Sequence, residues 1–290
     1  MREDLVDVGG GAQVPLVRSE IIPARFHHGF TTRRGGVSRP PYDSLNLGSK
    51  WGDARVNVVE NQRRLLAAAG ADRIFVARQV HGASAVRVRA GDSIDTVAAI
   101  EADALYSDAA GLALGAYVAD CVPALIADPR TGAFAAVHAG WRGTVAGVLP
   151  AAVRALCGDL GARPGDLRVA LGPAIGVCCF EVGDEVVAVV EQLIPGAASA
   201  GAIRPGPRGR AHVDLKRVNV LLLQAEGVPA SSVDAGPECT SCERARFFSY
   251  RRDQGRTGQA IGFISIETSI GASGRRLSRA GADCGIVPAC

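Results

Sequence analysis

Apolar and polar positions along this chain predict strands and helices in turn. Alternating or short apolar runs predict strands within residues 21–37, at 73–80 (RIFVARQV), at 86–88 and at 112–118. Two more follow, VPALIAD at 122–128 and AFAAV at 133–137. The turn sequence Pro129-Arg130-Thr131-Gly132 between them makes them adjacent. Later strands are expected at 167–171, 247–250 and 260–266, with a turn over 251–258 joining the last two.

Helical spacing of Val56, Val59, Leu65 and Leu66 predicts a helix between Asp53, a capping residue, and Gly70, a stop. A small-residue helix is expected over 144–157, kinked or broken at Pro150. Another begins at Gly183-Asp184 and runs toward Leu193. A further one is capped by Asp214 and stopped by Gly227. Residues 38–48 (SRPPYDSLNLG) read as an ordered loop anchored by Tyr42, Leu45 and Leu47, with Asn46 as its polar candidate. The stretch 195–210 (PGAASAGAIRPGPRGR) reads as a flexible surface insertion, and residues 268–290 as a disordered tail. No repeat or linker divides the remainder, so residues 1–267 are expected to form a single α/β domain.

Three residues with metal-ligating chemistry fall at predicted strand ends. His81 closes 73–80, Cys121 opens VPALIAD, and His138 follows AFAAV before the glycine-flanked AGWRG. Nitrogen and sulfur ligands of this kind, three in number, suit a catalytic zinc that keeps a fourth position open. Spacing alone is a weak signal, because hydrogen-bonded core or turn histidines and a buried cysteine explain the same residues.

Composition changes this picture mainly by exclusion. The 290 residues are 48% hydrophobic and 21% charged, an ordinary globular balance. The net charge of +3 is spread over dispersed arginines, which excludes a nucleic-acid surface. The opening MREDLVDVGG has no apolar core of a secretory signal, and no apolar window is long enough to span a bilayer, so a soluble, cytoplasmic protein is expected. The eight cysteines are irregularly spaced and read as reduced thiols. Cys239 and Cys242 form a CxxC with no second such pair to complete a zinc site. Adjacent Cys178 and Cys179 are poorly placed to chelate one ion through neighbouring side chains, and both pairs read as packing residues. None of the five histidines has a glutamate two positions on, and no Pro-Cys-x-x-Cys follows, which removes the cytidine-type deaminase signature. Phosphate-binding glycine loops are also absent.

QVHG at 79–82, ADCVPALIADP from Ala119, VHAGWRGTVAGV from Val137, GPAIGVCCFEVG from Gly172 and FFSYRRD from Phe247 together resemble the YfiH family. Its older label is the multicopper polyphenol oxidase, or laccase, domain. TTRRGGVS, PYDSLNLG and residues 214–219 extend the resemblance over about 26–266. The resemblance implies an α/β domain of two packed mixed β-sheets flanked by helices, with His81, Cys121 and His138 binding one zinc. It further implies a purine nucleoside enzyme that cleaves adenosine, inosine or guanosine with phosphate, some members also deaminating adenosine or using methylthioadenosine.

Phosphorolysis calls for an anion clamp, for which Arg142, Arg63 and Arg33 are candidates. Deamination calls for a proton shuttle, for which Asp120 and Asp103 are candidates, and Asn46 could hold ribose or base. Copper oxidation is disfavoured because the only methionine is Met1, leaving no axial ligand, and five histidines are too few for a multicopper cluster. A metal-free cysteine hydrolase using Cys121 and His138, peptidoglycan-precursor editing, and a nonenzymatic module with structural zinc are the other readings.

Overall fold

The computed structural model describes residues 1–207 and 209–267, so the expected disordered tail lies outside the described residues. The chain opens with antiparallel strands β1 (Arg2–Asp7), β2 (Gln13–Arg18) and β3 (Phe26–Thr31), followed by helix α1 (Arg55–Ala69). Strands β4 (Ile74–Phe75) and β5 (Ala85–Arg87), short helix α2 (Ile94–Ala98), and strands β6 (Ala104–Ser107) and β7 (Ala113–Val118) come next. A hairpin of β8 (Val122–Ala127) and β9 (Phe134–Ala139) leads into α3 (Trp141–Val145), α4 (Val148–Leu160) and β10 (Arg168–Leu171). After these lie β11 (Glu181–Val182), α5 (Asp184–Leu193), β12 (Ile203–Pro205) and β13 (Ala211–Val213). Helix α6 (Leu215–Ala225), β14 (Val233–Ala235) and β15 (Ala260–Ile266) complete the set.

One six-stranded sheet runs β1-β2-β3-β15-β7-β4 and a second runs β14-β10-β8-β9-β6-β5; a three-stranded sheet, β11-β13-β12, stands beside them. Parallel pairs β4/β7, β5/β6 and β10/β14 among antiparallel neighbours make both large sheets mixed, as expected. Phe26, Phe30, Leu114 and Ile264 of the first sheet share one core with Leu105, Leu125, Phe134 and Ala136 of the second. The Phe26 and Phe134 rings meet edge-on at 6.5 Å. Each such leucine, isoleucine or phenylalanine, fully withdrawn from water, contributes about 1.5–3 kcal/mol. The outer faces are covered in turn. Leu65 and Leu66 of α1 pack with Leu16, Ile261 and Phe263, while Leu149 and Val153 of α4 and Val218 of α6 pack with Val122, Ala124 and Val137. Strands β7, β8 and β9 are therefore buried along their whole length, which explains their continuous apolar sequence.

The β8–β9 turn falls at its expected place and is closed by Asp128. Its buried carboxylate accepts hydrogen bonds from the Arg130 N–H and the Thr131 hydroxyl, each at 2.8 Å, and its own N–H donates to the Ala133 carbonyl. The resulting ladder sets Pro123 opposite His138.

Several expectations change. The helix over 144–157 breaks at Gly147, whose φ of +84° interrupts it, and Pro150 sits in the first turn of α4, where a missing N–H breaks no helical bond. Residues 247–250 are not a strand. Phe247 and Phe248 are buried as core anchors, and β15 pairs with β3 and β7 instead. Only Ile74–Phe75 of 73–80 is a strand. Within the stretch expected to be flexible, residues 196–205 are tied down. The Glu191 carboxylate accepts N–H bonds from Gly196, Ala197 and Ala198, Ala197 and Ala202 are buried, and β12 pairs with β13. Asp214 caps α6 through the Arg217 N–H at 2.9 Å. At α1 the cap position is Ala54, because Asp53 lies one residue earlier and also binds Ser38 and Asn46.

Candidate metal centre

Tertiary structure brings His81, Cys121 and His138 together. Pro123 faces His138 across the β8–β9 ladder, so Cys121, two positions ahead of Pro123, comes to the same sheet end. His81 reaches them from the turn after β4, with a left-handed φ of +62°. The three ligand atoms lie within 4.8 Å of one another, with Cys121 Sγ 3.9 Å from His81 Nε2 and the two imidazole rings edge-on at 4.8 Å. Gly140 makes this possible, since a Cβ there would stand 2.8 Å from His81 Cδ2 and 2.9 Å from Cys121 Sγ. His138 is buried, Cys121 half-buried and His81 exposed, so the cluster opens to solvent on the His81 side.

Asp103, at the head of β6, holds this arrangement. Its carboxylate accepts N–H bonds from Val80 (3.2 Å), His81 (3.0 Å) and Gly82 (2.7 Å), and sits 2.8 Å from His138 Nδ1. A proton on Nδ1 leaves the Nε2 lone pair of His138 free to ligate, the arrangement that a carboxylate behind a metal-binding histidine imposes. Burial alone would raise the Asp103 pKa, but the His138 ring and the amide donors bring it below its ordinary value.

The cluster is also electrically primed. Burial opposes a Cys121 thiolate, yet the His138 charge and hydrogen bonds from His138 and His81 bring that pKa down to about 6. Burial likewise opposes a charged His138, yet the Cys121 thiolate and Asp103 raise it to about 9. A metal cation can replace the imidazolium proton as the thiolate's counter-charge. The donor set, its spacing and the Asp103 brace all fit a metal ion.

The other candidates are placed differently. Arg142 is exposed in the first turn of α3, its guanidinium stacked 4.4 Å above the Trp141 ring. Asp120, at φ +86°, directs its carboxylate to the Thr240 hydroxyl (2.6 Å), the Ser249 hydroxyl (3.0 Å) and the Arg251 N–H (2.7 Å). Buried Asn46 donates to Gly48 and Asp53 and accepts from the Gly48 and Gln259 N–H groups. Arg33 pairs with Asp43 and exposed Arg63 with Glu60. Asp103, weighed above only as a proton carrier, is the carboxylate that touches the ligands; the signal for it was a lone acid within the apolar run ADALY. The cysteine pairs correct their reading as packing residues: Cys178 and Cys242 are exposed, and all four thiols converge.

The sequence model of the family described as multi-copper polyphenol oxidoreductase laccase matches residues 27–267. The chain belongs to that family. Among its relatives is the purine nucleoside phosphorylase YlmD of Geobacillus stearothermophilus, 41% identical over 243 residues, which span 81% of this chain and 88% of the relative. Adenosine deaminase RL5, from an unknown prokaryotic organism, is 37% identical over 243 residues, 80% of this chain and 92% of its own. The crystal structure of YlmD superposes with a TM-score of 0.82 at 36% identity, covering 92% of this chain and 100% of that one. Among the described residues, no helix is long and apolar enough to cross a membrane.

Proposed function

We propose that this chain is a zinc-dependent purine nucleoside phosphorylase that cleaves adenosine, inosine or guanosine with phosphate, with adenosine deamination and methylthioadenosine cleavage as further activities of the same site. The convergence of His81, Cys121 and His138 around the Asp103 brace, in a chain whose relatives are named purine nucleoside phosphorylase and adenosine deaminase, carries the reading. Three nitrogen and sulfur ligands with one side open favour zinc over copper. Met1, the only methionine, has its sulfur beside Gly236 and its ammonium 3.7 Å from Asp234, and so supplies no axial ligand. Free thiols suit a reducing, cytoplasmic setting, and residues 1–267 serve as one catalytic unit in this reading.

In phosphorolysis a phosphate oxygen bonds to the anomeric carbon of ribose as the glycosidic C–N bond breaks. The electron pair leaves with the purine, which takes up a proton. Arg142 offers a forked, permanently charged donor set for the incoming phosphate, and its stacking on Trp141 limits the freedom lost on binding. Zinc held by the three ligands would supply a Lewis acid to polarise an electronegative substrate atom. Asp103 keeps the His138 ring and the 80–82 backbone in position. Asp120 and Asn46 act at one remove in this reading: Asp120, next to Cys121 in the chain, fastens that position to Thr240 and Arg251, and Asn46 ties its own loop to Gln259.

Incubating zinc-loaded protein with adenosine, with and without phosphate, tests this. Adenine and ribose 1-phosphate should form only with phosphate, while inosine would report deamination. If neither condition yields product, and inosine and guanosine are also inert, the nucleoside reading fails.

A further inference from the structure

We propose that Cys178, Cys179, Cys239 and Cys242 form a second metal site, a closed tetrathiolate that takes zinc and clamps the 174–180 loop to the 239–243 loop. All four Sγ atoms lie within 4.8 Å of one another, with Cys242 Sγ 3.5 Å from that of Cys178 and 3.4 Å from that of Cys179. Sulfurs placed tetrahedrally at a zinc–sulfur distance of about 2.3 Å stand about 3.8 Å apart, so the observed spacing is close to that of the bound state.

The backbone is built to hold the thiols there. The two loops join at an isolated bridge between Ala174 and Cys239, and the Thr240 N–H donates to the Ala174 carbonyl at 3.0 Å. On one side, Cys179 and Phe180 both donate to the Gly176 carbonyl. That tight turn swings two adjacent thiols toward a common point, which an extended chain cannot do. On the other, Glu243 N–H donates to the Cys239 carbonyl at 3.0 Å, bringing Cys239 and Cys242 to one side. The Gly176 N–H donates to Cys239 Sγ at 3.2 Å, a contact that favours a thiolate. A Cβ on Gly176 would come within 3.1 Å of Cys239 Cβ and 3.2 Å of Cys178 Sγ, so glycine keeps the space between the loops clear.

Charge and access fit as well. A tetrathiolate around a divalent cation is net negative. Lys216 donates to the Gly236 and Glu238 carbonyls next to Cys239, and Arg252 donates to the Thr240 and Ser241 carbonyls inside the CxxC. Cys239 is buried while Cys178 and Cys242 are exposed, which gives an ion a route in from solvent. A single disulfide would use two of the four thiols and give no account of the other two. An all-sulfur, four-ligand set selects soft ions and leaves no position for substrate, so its role is structural. Each ligating thiol releases its proton to solvent, so uptake acidifies an unbuffered solution.

The test counts metal in the full chain produced under reducing conditions. Zinc should be found at two per chain in the parent protein. One should remain in Cys121→Ser, and one should be lost in the double variant Cys178→Ser/Cys242→Ser. If the first centre takes no zinc, a single ion kept in Cys121→Ser and lost in the double variant still upholds the proposal. Where the double variant does not fold, native alkylation of the parent decides. Zinc should slow modification of Cys178 and Cys242 by iodoacetamide on the order of tenfold or more relative to chelator-stripped protein. Unprotected thiols, disulfides among the four, zinc that only Cys121→Ser removes, or bound iron and sulfide would each overturn it.

Discussion

The two cysteine-bearing clusters differ in what surrounds the sulfur. At the first, one thiol meets two imidazoles, a carboxylate orients one of the rings, and the His81 edge faces solvent. At the second, four thiols face one another, the Gly176 N–H meets the Cys239 sulfur, Lys216 and Arg252 bind the carbonyls of Glu238 and Thr240 on either side of Cys239, and the Glu243 carboxylate meets the Cys239 amide rather than its sulfur. Mixed ligands with an open side leave room for chemistry, whereas a complete sulfur shell serves to hold two loops together.

The difference breaks most sharply at a ligand of the first cluster. His138→Ala should remove one metal and lower kcat/KM on the order of a thousandfold, as expected when several kcal/mol of transition-state stabilisation is lost. Metal analysis beside steady-state kinetics would check it, and near-normal turnover would assign catalysis elsewhere. Asp103→Asn keeps a polar group of similar size but removes the charge beside His138. Metal affinity or activity should fall about 10–100-fold, read by competition with a chromophoric chelator. An unchanged affinity would reduce Asp103 to a backbone brace.

Arg142→Ala should raise KM for phosphate by about tenfold or more while leaving KM for the nucleoside nearly unchanged, in line with loss of one charged hydrogen-bonding partner. Equal changes in both constants would remove Arg142 from the phosphate role. The mildest test is a pH profile of metal-free protein. Because the Cys121 pKa falls from an ordinary 9.0 to about 6, its thiolate fraction should rise as pH increases through about 6, and alkylation with it. A midpoint near 9.0, the ordinary value, would show that the imidazoles exert no such pull.

Legibility in the sequence followed the physics of each element. Strands β7 to β9 were readable because burial on both faces leaves uninterrupted apolar runs, and α6 because Asp214 and Gly227 mark its ends. The ligands were readable as residues at strand ends, though their convergence rested on family resemblance. Residues 247–250 misled because FFSY has the composition of a strand while its two phenylalanine rings serve as core anchors without a ladder. The order at 196–198 depends on Glu191, a residue outside the stretch read as flexible. Asp103 and the four-cysteine cluster were hidden for a related reason. Cys178 and Cys242 lie 64 positions apart, and only the Ala174–Cys239 bridge makes them neighbours.

The Asp128 turn carries a consequence for how this chain can change length. It lies at the opposite end of the β8–β9 hairpin from Cys121 and His138, yet it fixes which residues of the two strands face each other. An insertion or deletion of one residue that shifts this pairing would exchange the two faces of β9, sending His138 toward the helices and Val137 or Ala139 toward Cys121 and His81. Variation in loop length should therefore be tolerated elsewhere on the surface before it is tolerated here, and gains or losses in this hairpin should come in pairs.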